Sequence, residues 1–260
     1  MDRMNGEAVG FSKVSFAYGD KKGKRTEILK DLDLSIGEGE FISLVGVSGS
    51  GKSTIFRLIT GLEEPASGEI RLHGNPCSNR LGMIGYMPQR DLLMPWRTVR
   101  DNAALPMELK KRKQHDNQPD LDNMLTAFGL AGYGNAYPGE LSGGMRQRVS
   151  FLRATMTGAD ILLLDEPFSA LDAMTKLFMQ EWLLEQWQLK KKTILFITHD
   201  ISEALFLSDR VFILKETPAS RLEEIKVPLG RPRSHQDAGR PKILQLKQAM
   251  IEGFRKQAMP

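Results

Sequence analysis

The sequence predicts an α/β fold: a mainly parallel sheet flanked by helices, an antiparallel β portion ahead of it, and a helical insertion within it. Three observations carry this. Val9, Phe11, Val14, Phe16 and Tyr18, and again Leu32, Leu34 and Ile36, are spaced as strand residues. The apolar run 41–45 leads into a Gly/Ser loop and then a helical pattern. After a long stretch of helical periodicity, short apolar runs return at 161–164, 194–197 and 211–214 with helices between them, the alternation of a parallel sheet.

Taken in order, the first two alternating segments read as antiparallel strands joined across the charged turn 20–25. A buried strand at 41–45 is followed by a helix from about 52 to 60, and residues 61–67 break the pattern. Short strands follow at 69–72 and 84–87. From about 92 to 157 the character is helical, with amphipathic segments at 99–109 and 121–128 separated by the polar stretch 110–120. Beyond Lys215 the chain is rich in Pro, Gly and Arg around 228–232. It then offers a terminal helix, 242–256, with Ile243, Leu244, Leu246, Met250 and Phe254 on one side to dock on a partner or on the core. The expected organisation is one domain over 1–260. Segments 1–90 and 158–225 form the core, 91–157 the inserted helical subdomain, and 226–260 a C-terminal extension.

Composition narrows the class. A chain of 260 residues, 41% hydrophobic and 26% charged, suits a soluble globular domain with a sizeable core. No segment approaches the ~18 consecutive apolar residues of a membrane span. Asp2, Arg3 and Glu7 precede no apolar run, so no secretory signal is expected. Cys77 is the single cysteine, which excludes an internal disulfide and suits a reducing compartment. The net charge of +4 is mild and reads as a solvated surface. The basic cluster 110–113 and the pair Arg231 and Arg233 lack interleaved aromatics, which argues against nucleic acid.

The sequence Gly46-Val47-Ser48-Gly49-Ser50-Gly51-Lys52-Ser53, continuing to Thr54, satisfies G-x-x-x-x-G-K-[ST] at every fixed position, between a strand and a helix. Glycines let backbone N–H groups turn inward around phosphate oxygens, and the helix directs its positive end at the same anion. Lys52 would reach the β- and γ-phosphates, and the Ser53 hydroxyl would ligate Mg²⁺. The motif says nucleotide and phosphoryl chemistry without choosing a family. The run 161–164 ends in Asp165-Glu166, so a buried strand delivers two acids to the sheet's carboxyl edge. Asp165 suits holding Mg²⁺ and Glu166 suits polarising an attacking water.

Leu141-Ser142-Gly143-Gly144-Met145-Arg146-Gln147-Arg148 makes the chain resemble the ABC transporter ATPases over nearly its whole length. It matches their LSGGQ-type signature, with Met145 in place of the commoner Gln, and its Ser142 lies 23 residues before Asp165. The resemblance implies a P-loop NTPase (RecA-like) core with an N-terminal antiparallel β subdomain and an inserted α-helical subdomain. It implies that Ser142, Gly143 and Gly144 close over the γ-phosphate held by a second copy, so that a head-to-tail dimer sandwiches two ATPs. It further implies that Tyr18 stacks on adenine, although a lone strand tyrosine also reads as packing. Gln89, in Tyr86-Met87-Pro88-Gln89, matches the residue that senses Mg²⁺ and the attacking water. Asp172, in Ser169-Ala170-Leu171-Asp172, matches the D-loop at the dimer interface, or simply a helix N-cap. His199 matches the switch histidine at the γ-phosphate, whereas His73, His115 and His235 match nothing and read as surface residues.

The segment Leu92-Leu93-Met94-Pro95-Trp96-Arg97-Thr98-Val99 resembles the "LLPW-TV--N" stretch of the nitrate/sulfonate/taurine importer group, which includes transporters of thiamine precursors. Met94 departs from that spelling, and Thr155-Met156 departs from the usual "RAL" after the signature helix. The resemblance implies an ATPase coupled to solute uptake, with ATP and Mg²⁺ as cofactors and a catalytic set of Glu166, His199, Lys52 and Gln89. It implies a peripheral position on the cytoplasmic face of the inner membrane, against permease subunits and indirectly a solute-binding protein. Trp96 and Met94 either meet the permease or fill the subdomain's own core. An exporter ATPase, or a soluble ABC ATPase outside transport, is the alternative.

Overall fold

The computed structural model describes residues 6–19, 24–109 and 120–258. Most of the turn expected at 20–25 and nearly all of the polar stretch 110–120 lie outside them, as do Asp2, Arg3, the cluster 110–113 and His115. In chain order the elements are β1 (Glu7–Gly19), β2 (Arg25–Gly37), β3 (Phe41–Gly46), α1 (Lys52–Thr60), β4 (Ser67–Leu72), β5 (Asn75–Pro76) and β6 (Gly85–Met87). There follow α2 (Val99–Leu109), α3 (Leu121–Ala127), α4 (Gly143–Thr155), β7 (Ile161–Asp165) and α5 (Ala173–Lys190). The last are β8 (Thr193–Ile197), α6 (Ile201–Leu207), β9 (Arg210–Leu214), β10 (Glu223–Lys226) and α7 (Pro241–Ala258). They fall into two compact units, Met1–Gly82 with Lys191–Pro260, and Met83–Lys190.

In the first unit β1 is the antiparallel partner of both β2 and β4, with Phe11 opposite Leu34 and Ile70. The strict two-residue period fails twice, at Phe11 to Val14 and at Leu29 to Leu32. Register shifts accompany both steps, and Lys13 (φ 51°) and Asp31 (φ 48°) adopt left-handed backbone there. A bulge inserts the extra residue, so the apolar side chains on either side of it still face the core. Beside this sheet, β3 runs parallel to both β8 and β9, and β10 is antiparallel to β9. Every residue of β3 and β8 is buried, as their near-continuous apolar runs require, with Ser43 and Thr193 the polar residues among them.

Helix α7 docks on its own unit. Ile243 and Met250 are buried among Val45, Ala204, Leu205, Val211 and Ile213, with Leu246 and Phe254 packed against them. Burial of each large apolar side chain contributes about 1.5–3 kcal/mol. Leu244, read from the sequence as part of the same face, is 52% exposed. One position after Ile243 is a rotation of about 100° around the helix, which turns it away from the sheet.

Arg231 and Arg233 do not stand in solvent. The Arg233 guanidinium is buried and donates to the carbonyls of Phe206 (3.0 Å), Ser208 (2.7 Å) and Leu205 (3.3 Å). These close the C-terminal end of α6, where carbonyls have no intrahelical partner and cations are favoured. Arg231 reaches the Asp209 carboxylate at 3.0 Å. Burial, with Arg231 nearby, pulls the Arg233 guanidinium down to about 10, while Asp209 and Asp237 oppose the shift. Arg233→Ala should cost about 2–3 kcal/mol through the stranded carbonyls, lowering Tm by roughly 4–12 °C in calorimetry; a drop below about 2 °C would mean water replaces the guanidinium. His235 is likewise not a free surface residue: its ring stacks on Phe206 at 4.2 Å. His73 does face solvent, beside Glu38.

In the second unit β6 pairs parallel with β7, placing Met87 beside Leu164. Helix α3 starts at Asp120, whose carboxylate accepts from the Asp122 N–H. Its core is aromatic: Phe128 meets Trp182 edge-on at 4.6 Å and Phe151 at 5.3 Å. Among the described residues no helix is long and apolar enough to cross a membrane.

Candidate functional site

The phosphate loop lies in the first unit. Strand β3 is buried along its length and ends at Gly46, after which Val47, Ser48 and Gly49 face solvent and Ser50 turns back, its N–H bonding the Val47 carbonyl at 3.2 Å. Gly51 stands at the N-terminus of α1 with φ 98°, and no side chain caps the helix there. A Cβ at Gly51 would be strained by that φ and would lie 2.8 Å from Ile28. The first-turn N–H groups of α1 therefore point into the loop, the arrangement that receives a phosphate. Lys52 is buried and its Nζ donates to the carbonyls of Gly46 and Val47, both at 2.8 Å. The ammonium thus closes the loop on itself.

Two other candidates join it in this unit. Tyr18 packs edge-on against Phe16 at 4.8 Å, and its hydroxyl lies 3.5 Å from the Thr54 hydroxyl and accepts from Arg57 at 3.3 Å. That tethers the tyrosine to the helix following the loop. His199, exposed after the buried β8, lines one cavity of about 390 Å³ with Gly46 and Val47.

The remaining candidates, Gln89, Ser142, Gly143, Gly144, Asp165, Glu166 and Asp172, fold in the second unit. Strand β7 is buried throughout and ends at buried Asp165. Glu166 has φ 51°, an uncommon backbone for a residue with a side chain. Buried Gln147 holds it there: its Nε2 donates to the Glu166 carbonyl at 2.8 Å and to Ser169 Oγ at 2.9 Å. Its Oε1 accepts the Ala170 N–H at 2.8 Å. Ser169 adds a hydroxyl bond to the same Glu166 carbonyl at 3.0 Å. Local strain of this kind persists only where its surroundings over-determine it.

The signature segment meets the same loop. Ser142 caps α4, accepting the Met145 N–H at 3.2 Å, and Gly143 stands in the open. A Cβ on Gly144 would sit 3.0 Å from the Ala170 carbonyl, so α4 starts hard against residues 169–172. Asp172 accepts from the Thr175 N–H (3.0 Å) and hydroxyl (2.6 Å), which lowers its carboxyl below the ordinary range and makes it a helix cap in this structure.

Sequence reading left Gln147 without a role, and also Asn102, Arg146 and Arg153. Buried Asn102 donates to the carbonyls of Met94, Arg97 and Thr98 and accepts the Met94 N–H, fixing the loop that follows Gln89. Arg153 holds the carbonyls of Asp91 (2.7 Å) and Leu92 (2.8 Å), and Arg146 the Asp91 carboxylate (3.2 Å). Trp96 is 74% exposed and does not fill this unit's core, whereas Met94 is half-buried. Gln147→Leu keeps the volume, strands the Ala170 N–H and leaves Ser169 as the remaining brace on the Glu166 carbonyl. It should therefore lower ATP turnover by about 10–100-fold with little change in ATP affinity, on the scale of about 1–3 kcal/mol for unsatisfied buried groups. A KM shift with unchanged kcat would place Gln147 in binding instead.

A glycine-built anion cradle with a buried lysine, set between a buried parallel strand and a helix N-terminus, defines the class: a phosphate-loop nucleotide-binding domain. The ABC transporter family matches residues 29–169. The chain is 45% identical over 222 residues to the formylaminopyrimidine import ATP-binding protein ThiZ of Halalkalibacterium halodurans, covering 85% of each chain. It is 41% identical to the aliphatic sulfonates import ATP-binding protein SsuB 1 of Rhodococcus jostii, covering 95% of this chain and 94% of that one. Among solved structures it is similar to the ATP-binding cassette MJ0796, in a dimeric post-hydrolysis state bound to ADP and Pi, with TM-score 0.76 and 30% identity over 85% of this chain and all of that one. The chain belongs to the ABC transporter family.

Proposed function

We propose that the chain is the ATP-hydrolysing subunit of an importer for a small solute of the sulfonate, nitrate or thiamine-precursor kind, working as a pair of copies at the cytoplasmic face of a membrane. The observation that carries this is the phosphate loop: an uncapped helix N-terminus and a buried lysine drawn together around a loop whose glycine cannot be replaced without collision. The relatives named for import of formylaminopyrimidine and of sulfonates support the direction of transport, and the dimeric cassette supports pairing.

On this reading, the loop amides and Lys52 hold the β- and γ-phosphates while Tyr18 supports the adenine. Glu166 orients the attacking water, and His199 and Gln89 monitor the γ-phosphate end. Ser142, Gly143 and Gly144 of the second copy cover the same phosphate, with Asp172 at the joint, so closure excludes bulk water. The donor set of Ser53 hydroxyl, Asp165 carboxylate and Gln89 amide oxygen is all hard oxygen, which fits Mg²⁺. When bound, that ion neutralises charge on the β- and γ-oxygens. Exposed Trp96, beside the loop that Asn102 fixes, supplies an apolar contact for a permease helix.

A shared site makes activity depend on pairing. ATPase rate per chain should rise with protein concentration through the low-micromolar range and then level. A specific activity independent of concentration in a chain that stays monomeric by light scattering would defeat the reading.

A further inference from the structure

We infer that an apolar stripe at the start of α5 in one copy seats in the cavity beside the phosphate loop of the second copy, making the terminal helix α7 part of the paired interface. Met174, Leu177 and Phe178 are 76%, 40% and 54% exposed. Their three- and four-residue spacing puts them on one helix face. Buried Met179, Leu183 and Trp187 occupy the opposite face. Isolated exposed apolar residues are ordinary; three large neighbours in one stripe mark a contact surface.

The receiving surface is the cavity of about 390 Å³ whose wall includes Val47, His199, Ile201, Ile251, Phe254 and Arg255. Its lining is mainly aliphatic and aromatic, so it suits bulky apolar side chains better than a polar solute. One wall is the phosphate loop and the switch histidine, and the opposite wall is α7. The stripe begins two positions after Asp172, the D-loop residue of the paired reading, so it continues a surface already assigned to the second copy. Charge agrees as well: Glu181 lies one turn beyond Leu177 on the stripe's face, and Arg255 stands at the cavity. The occupant is therefore a second copy of this chain, and α7 couples its seating to phosphate-loop occupancy.

This inference rests on the paired-copy reading, and the test separates the two. Two chains are made in a Cys77→Ser, Glu166→Gln background, one with Leu177→Cys and one with Ile251→Cys. With ATP and Mg²⁺ the mixture should yield a mixed covalent dimer under a short bis-maleimide, and each chain alone should not. Separately, Phe178→Asp should weaken ATP-dependent dimerisation at least tenfold in sedimentation while the monomer binds a fluorescent ATP analogue as before. ATP-dependent dimers without the mixed cross-link, or undiminished dimerisation of Phe178→Asp, overturn the stripe-in-cavity contact and leave pairing intact. ATP binding with no dimer in any variant overturns both.

Discussion

Glu166→Gln should reduce ATP turnover by about 10³-fold, within the range of about 10²–10⁴ for a positioned general base, while ATP still binds and the paired form accumulates. The structure gives reasons for expecting both halves of that result. The Glu166 backbone is held at φ 51° by bonds to its own carbonyl from Gln147 and Ser169, and none of these uses the side chain. Exchanging carboxylate for amide therefore leaves the loop's braces untouched. It removes only the negative oxygen that would accept a proton from water. The phosphate loop, which carries the binding in the proposed function, lies in the other unit. Single-turnover kinetics and gel filtration with ATP check the two halves separately. Turnover within a factor of about three of the parent would remove Glu166 from proton transfer, because a merely orienting hydrogen bond survives in glutamine.

How much of this was legible beforehand depended on how local each requirement is. The phosphate loop is a local demand, since a backbone bent at Gly51 and followed by a lysine can be recognised from the residues themselves. The buried strands were equally legible, because a run such as 161–164 has no solvent-facing alternative to signal. The bulges at Lys13 and Asp31 were visible only as broken periodicity, and the cause needed the partner strand. Leu244 was misread because helical spacing gives a face but not its edge. The burial of Arg233 had no signal in the sequence, because charge usually lies at the surface. Its partners are backbone carbonyls some 25–28 residues away, and carbonyls have no letter in a sequence. Gln147 and Asn102 were overlooked for the same reason. Each serves backbone groups of a loop set against it by tertiary folding, and nothing in the identity of the loop residues announces the need.

Lys52→Ala should raise the ATP dissociation constant by about 10–150-fold, the equivalent of about 1.5–3 kcal/mol for a charged hydrogen bond, and abolish measurable hydrolysis and ATP-dependent pairing. The lysine serves two purposes at once. Its Nζ bridges the carbonyls of Gly46 and Val47, so it holds the mouth of the loop, and on the proposed reading it supplies the cation for the incoming phosphates. Lys52→Met separates the ammonium, which serves both, from the packing of its stem, because it keeps most of the buried stem and loses only the ammonium. If charge dominates, methionine and alanine bind ATP equally weakly, and fold stability is nearly unchanged since a buried cation has been relieved of its desolvation. If packing of the stem dominates, methionine recovers part of the affinity. Arginine should rescue neither: a planar guanidinium carries its donors in a fixed fork and needs a wider slot than the buried one Lys52 fills. Equilibrium binding of a fluorescent ATP analogue to the four proteins ranks them. Affinity within a factor of about two across the set would mean that the loop amides alone hold the nucleotide, and the assignment of Lys52 to the phosphates would fall.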